Sequence, residues 1–215
     1  MRGASISIDL TYGRNETLTE PAARGNMKLS YIGAWKAPDG TALAMRPIHE
    51  RDGTSVANAL QKLSPETRRL RFLSAVNKIP DAFVPGLTEA DPKRQYVVIV
   101  VRPDGSDEIT IAGGRIVATD DLAIWEFALL VGDAWQAKGV GKRLLTALIE
   151  EAERRSVQRL VGNISVENRP MLNLARKNGF SIARDTGDRS TCIATLNIAS
   201  RAKATNSWLA RWLRI

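Results

Sequence analysis

From Val140 to Ala152 the apolar positions recur at helical spacing. Val140, Leu144, Leu145, Leu148, Ile149 and Ala152 fall on one side, and Lys142, Arg143, Glu150 and Arg154 on another. That pattern predicts an amphipathic helix with one buried face. Tyr96 to Val101 is a nearly unbroken β-branched run, which predicts a strand covered on both faces. Two more strands are expected at 108–118 and 122–131, the first after the turn residues Pro103-Asp104-Gly105. Gly113-Gly114 inside the first of them points to a bulge or a close backbone approach. Ahead of these lie a short strand at 42–48 and a helix at 52–63 carrying Val56, Leu60 and Leu63. A second helix opens with Ser64 as N-cap and Pro65 at its first position, with Leu70, Phe72 and Leu73 on its apolar side. After the long helix come a strand from Arg159, a short helix at 168–177, a strand at 179–182 and a closing strand at 191–198. The order β-α-α-β-β-β-α-β-α-β-β predicts an α/β (α+β) domain with a mixed central sheet and helices on both faces.

The regular pattern sets the expected boundaries. Residues 1–40 read as an extension with short alternating pieces such as Ile6 to Leu10, and part of the segment can pair as a strand. Residues 41–199 form the domain, and 200–215 a basic amphipathic tail containing Trp208 and Trp212. The tail offers a packing face to the domain or to a second copy of the chain, as in a homodimer. Of the 215 residues, 31 are Lys or Arg and 23 are Asp or Glu, a net charge of +8. No acidic residue follows Asp188, so much of the excess belongs to the chain's end. A basic balance favours anionic partners, but no helix-turn-helix or aromatic platform supports specific nucleic-acid reading. A lone cysteine, Cys192, excludes an internal disulfide, and a lone histidine, His49, argues against a zinc site. No metal is expected. No apolar stretch approaches the roughly 18 residues of a membrane span, and a cytoplasmic setting is expected.

Candidate chemistry concentrates where the strand at 122–131 turns into the long helix, in Val131-Gly132-Asp133-Ala134-Trp135-Gln136-Ala137-Lys138-Gly139-Val140-Gly141-Lys142. The first turn of a helix presents unpaired N–H groups and the positive end of the macrodipole, an anion site. Gly139 and Gly141 let an anion approach the main chain, and Lys138 and Lys142 add charge. A P-loop is excluded because Gln136 and Arg143 stand where glycine and Ser/Thr are needed. A dinucleotide fingerprint is excluded by Leu144 at its third glycine position.

Gln136-x-x-Gly139-x-Gly141 after a strand resembles the acetyl-CoA pyrophosphate signature of the GNAT (GCN5-related) N-acetyltransferases. Val166 to Phe180, where Asn168 opens a helix ending in Gly179-Phe180, resembles that family's second cofactor segment. Leu63 to Phe72 together with Glu126-Phe127-Ala128 is similar to the acetyltransferase domain of bacterial protein-lysine acetyltransferases. The resemblance covers roughly residues 42–198. It implies a GNAT fold with strands 4 and 5 of that fold splayed apart, and acetyl-CoA as cosubstrate.

It also implies roles. Leu129, Leu130 and Val131 would offer main-chain groups to the pantetheine arm. Gln136, Ala137, Lys138, Gly139, Val140, Gly141 and Lys142 would hold the pyrophosphate through backbone N–H groups, and Asn168 would bond the cofactor arm. N–H groups near Leu130 could polarise the thioester carbonyl. Glu126 matches the family's acidic base position, and Trp125 and Phe127 on either side suggest an apolar setting. The tyrosine that many members use to protonate the departing thiolate is replaced by Ala175. The implied reaction is direct acetyl transfer to an amine, first of all a protein lysine. The alternatives are a small-molecule amine acceptor or a non-catalytic acetyl-CoA-binding regulatory module.

Overall fold

The computed structural model describes residues 30–73 and 79–199. The β-branched run becomes the middle of strand β3 (Gln95–Asp104), buried from Val97 to Val101 as a strand covered on both sides must be. Around it lie β1 (Gly33–Lys36), β2 (Ala42–Pro47), β4 (Asp107–Ala118), β5 (Ile124–Val131), β6 (Arg159–Ser165), β7 (Ser181–Arg184) and β8 (Thr191–Asn197). One mixed sheet results, in the order β1-β2-β3-β4-β5-β6-β8-β7. Neighbours are antiparallel except β5 and β6, which run parallel. The helices are α1 (Gly53–Gln61), α2 (Pro65–Phe72), α3 (Pro85–Thr88), α4 (Val140–Arg154) and α5 (Arg169–Lys177).

The two faces of the sheet are packed separately. Leu144, Leu145, Leu148 and Ile149 of α4 close on Leu43, Val98, Val100, Ile116 and Phe127. On the opposite face Val56, Leu60 and Leu63 form their own cluster with Ile48, Phe83, Leu87 and Leu130. At Gly114 a Cβ would stand 3.0 Å from Leu148 Cδ1, so glycine there permits the close approach of α4. The register shift in the β3–β4 ladder falls beside the glycine pair, between Val100 and Val101.

A buried charge cluster fixes α1 to the sheet. Arg46 of β2, 2% exposed, donates to both carboxylate oxygens of Asp52 at 2.8 Å and to Glu108 of β4 at 2.7 and 3.0 Å. Tyr31 donates to the other Glu108 oxygen at 2.7 Å. Burial acts against charging the Arg46 guanidinium, but the two carboxylates outweigh it and hold the group well above its ordinary range. Removing one partner of such a buried set costs about 3–5 kcal/mol, because the remaining charge is left uncompensated.

At the front of the domain, part of the expected extension pairs as a strand. β1 pairs with β2 from Gly33↔Met45 to Lys36↔Ala42, so the sheet begins ahead of residue 41. The short helix α3 was not foreseen. Ile6 to Leu10 and the tail at 200–215 lie outside the described residues. Among the described residues no helix is long and apolar enough to cross a membrane.

The feature that opens the site is the brevity of the β5–β6 ladder. It holds at Ile124↔Arg159, Trp125↔Leu160 and Glu126↔Val161, then stops. The next residues across would be Phe127 and Gly162. A Cβ on Gly162 would lie 2.5–2.9 Å from three atoms of the Phe127 ring, so the ring rests on the glycine backbone. Its other side meets Phe180, centroid to centroid 4.9 Å. Gly162→Ala is expected to lower stability by about 1–3 kcal/mol through overpacking, read as a fall in denaturation midpoint with unchanged slope.

Candidate active site

Beyond Glu126 the side of β5 facing β6 has no strand partner, and this free edge leads into the turn before α4. Asp133–Trp135 make a single 3-10 turn, Gln136 is extended, and Ala137 and Gly139 adopt left-handed backbone with φ of 59° and 82°. A Cβ at Gly139 would meet nothing within 4 Å, so the space over the main chain is open. The first N–H bonded back into α4 is that of Arg143, to the Gly139 carbonyl at 3.2 Å. Between Ala137 and Lys142 no backbone N–H finds a main-chain acceptor among the described residues. Such a row of donors at a helix start suits a diphosphate.

Three details of this turn add to the expectation. The Gln136 N–H is not free, since it donates to the Asp133 carbonyl at 3.3 Å, and the row begins at Ala137. The Gln136 side chain instead donates to the Val131 carbonyl at 3.2 Å and to Thr67 Oγ1 at 3.1 Å. Val131 therefore has its carbonyl engaged. Lys138 brings little free charge, because its ammonium pairs with Asp39 at 2.8 Å and lies 4.9 Å from the Trp135 ring centroid. Lys142 is exposed on the first turn of α4.

Asn168 sits at the start of α5, where its side-chain oxygen accepts from the Met171 N–H at 3.1 Å. That cap uses the oxygen and leaves the amide N–H₂ for other work. Ala175 is fully buried, with its carbonyl accepting from Asn178 and Phe180.

Glu126 stands at the last rung of the β5–β6 ladder, opposite Val117 and Val161. Its surroundings differ from the expectation. Trp125 and Phe127 are buried on the face packed against α4, and strand alternation turns Glu126 the other way. There it feels Arg71 of α2 electrostatically. Burial, and then the like charge of Arg115, push Arg71 below the usual arginine range, while Glu126 opposes that shift.

Helix α2 roofs the opening, held by residues that sequence reasoning missed. Asp133 accepts from the Ser64 N–H at 2.9 Å, the Ser64 hydroxyl at 2.7 Å and the Thr67 hydroxyl at 2.6 Å. Ser64 meanwhile caps α2 through the Thr67 N–H at 3.1 Å, as its place before Pro65 predicts. On the far side Arg69 pairs with Glu167 at 2.5 Å, in the loop after β6. One end of α2 is thus bound to the loop after β5 and the other to the loop after β6. No local signal announces a bond between residues 69 apart such as Ser64 and Asp133.

The open strand pair, the donor-lined helix start between its lips and the carboxylate at its root form one continuous cleft. The chain belongs to the acetyltransferase (GNAT) family, whose model matches residues 61–180. It is 26% identical over 158 residues to Acetyltransferase PA5475 of Pseudomonas aeruginosa, across 74% of this chain and 85% of that protein. It is 31% identical over 142 residues to Acetyltransferase Pat of Mycolicibacterium smegmatis, across 66% of this chain but only 42% of that longer protein. Among solved structures, the GNAT domain of S. lividans PAT superposes with a TM-score of 0.68 at 21% identity, covering 77% of this chain and 96% of that one.

The Asp133 anchor makes the roof sensitive to acid. Burial raises the Asp133 pKa, but the bonds from Thr67 and Ser64 outweigh it and leave the carboxyl below its ordinary value. A depressed carboxylate stabilises the fold above its unfolded pKa and loses that contribution as pH falls through the folded one. Hydrogen exchange of α2 amides, corrected for intrinsic rates, is expected to be level above the ordinary carboxylate range and to accelerate below it. Asp133→Asn should abolish that step.

Proposed function

We propose that this protein moves the acetyl group of acetyl-CoA directly to an amine, without an acyl-enzyme. The observation that carries the reading is the row of unpaired main-chain N–H groups from Ala137 to Lys142 at the mouth of the β5–β6 opening. In this reading those groups hold the diphosphate, the free edge at Leu129 and Leu130 lies along the pantetheine arm with Val131 at its end, and the Asn168 amide bonds the same arm. Acetyl-CoA supplies an activated thioester carbonyl.

The chain's part is then to prepare the nucleophile. A lysine-like amine with pKa near 10.4 arrives as an ammonium ion at pH 7, and only the neutral form attacks. Glu126, at the root of the cleft, takes that proton directly or through one water. The amine nitrogen forms the new C–N bond and gives its second proton to solvent, the C–S bond breaks, and the sulfur leaves as a thiolate. With Ala175 in place of a tyrosine, the thiolate takes its proton from solvent. Two acceptors have support. The resemblance of Leu63 to Phe72 and of Glu126-Phe127-Ala128 to bacterial protein-lysine acetyltransferases favours a protein lysine, and the apolar cavity beside Leu130 favours a small amine.

Glu126→Gln should lower kcat about 10²–10⁴-fold while calorimetric CoA affinity holds, and unchanged turnover would remove Glu126 as base. Gly139→Asn and Gly139→Asp form a matched pair, because both side chains tolerate left-handed backbone and differ in charge alone. The Asp variant is expected to bind CoA much more weakly than the Asn variant. Mass spectrometry of products formed from acetyl-CoA and a cell extract would identify the acceptor.

A further inference from the structure

A second recognition element lies on the acceptor side of the cleft, under α1. A cavity of about 70 Å³ opens between α1, the segment around α3 and the sheet, walled by apolar side chains that include Val56, Leu60, Phe83 and Leu130. Two arginines, Arg71 of α2 and Arg115 of β4, also line it. Both are costly to place there. Arg115 Nε is buried with no hydrogen-bond partner among the described residues. Arg71 stacks on Phe72 and Phe83, with its guanidinium 5.3 and 6.0 Å from the ring centroids, and makes no ion pair among the described residues. The contrast with Arg46 is instructive, since that buried guanidinium has two carboxylates bonded to it.

Two like charges sharing one apolar cavity, one of them with an unmet buried donor, create a demand for an anion. Glu126 supplies part of the balance at a distance, yet with no hydrogen bond to either arginine. Register places Arg115 and Glu126 together, and Arg71 lines the same cavity. Arg115 sits opposite Ala128 and Glu126 opposite Val117 in the β4–β5 ladder, so the pair are diagonal neighbours with side chains on the same face. An occupant whose carboxylate meets the arginines would thus hold its amine close to the proposed base.

We propose that Arg71 and Arg115 bind the carboxylate of the acceptor, and that the acceptor is a small amine bearing a carboxylate and a modest apolar body, such as an apolar α-amino acid. This deepens the acetyltransferase reading and rests on it. A plain alkylamine, or a lysine in a neutral peptide, leaves both guanidinium groups without an acceptor.

The test is a binding measurement, so it does not depend on turnover. The full chain, saturated with CoA, is titrated calorimetrically with leucine and with leucinamide, which match in shape and differ in the carboxylate. A charged hydrogen bond of ordinary strength gives leucine an advantage of about 10-fold or more. Arg115→Gln and Arg71→Gln should each erase most of that advantage, and Arg115→Lys should keep part of it. Each variant's unfolding midpoint and CoA affinity serve as fold controls, and if Arg115→Gln does not fold, Arg71→Gln decides. Equal binding of leucine and leucinamide overturns the proposal, as does an advantage that survives undiminished in both Arg71→Gln and Arg115→Gln. It is equally overturned if a lysine peptide flanked by aspartate binds more tightly than leucine and loses that binding in Arg71→Gln. Failure of the transferase reading would show separately, as absence of CoA binding or of acetylated product.

Discussion

The cleft depends on one contact, the Phe127 ring lying against the backbone of Gly162. Parallel strands in a sheet normally continue to pair for as long as both remain extended. Here a large ring meets a residue without a side chain at the rung after Glu126↔Val161, and the two strands part. The ring is held from its other side by Phe180. β5 therefore keeps its ladder with β4 as far as Val131 while its other edge is free. The same divergence sets Glu126 at the root of the opening and the α4 start at its mouth, so the proposed proton acceptor and the proposed anion site are placed together.

The roof over that opening is of a different character. α2 has no buried residue and is secured by surface hydrogen bonds and ion pairs at its two ends. Exposed ion pairs such as Arg69–Glu167 contribute little each, typically under about 1 kcal/mol. The Asp133 cluster, which joins three donors with a helix cap, is the firmer end.

Much of this was legible in the sequence, for identifiable reasons. Val97 to Val101, the buried stripe of α4 and the Ser64-Pro65 start of α2 are long or chemically specific signals, and each appears where expected. β1 and α3 are only four residues each, too short for any periodicity to declare itself. The orientation of Glu126 was available from strand alternation, which separates it from Trp125 and Phe127, but the neighbouring apolar residues suggested a different setting. Arg71, Arg115 and Asp133 could not be singled out from the chain. Their importance arises from partners distant in sequence, and an arginine in a strand looks the same whether it faces solvent or a cavity.

The apolar cluster around α1 is distinct from the core beneath α4, and this division has an evolutionary corollary. In the proposed reading, substitutions at Val56, Leu60 or Phe83 reshape the acceptor cavity without passing strain to the layer beneath α4, which would hold the nucleotide end. The fold thus works as a fixed handle with an exchangeable jaw, and new selectivities can arise by altering one layer while the other is preserved.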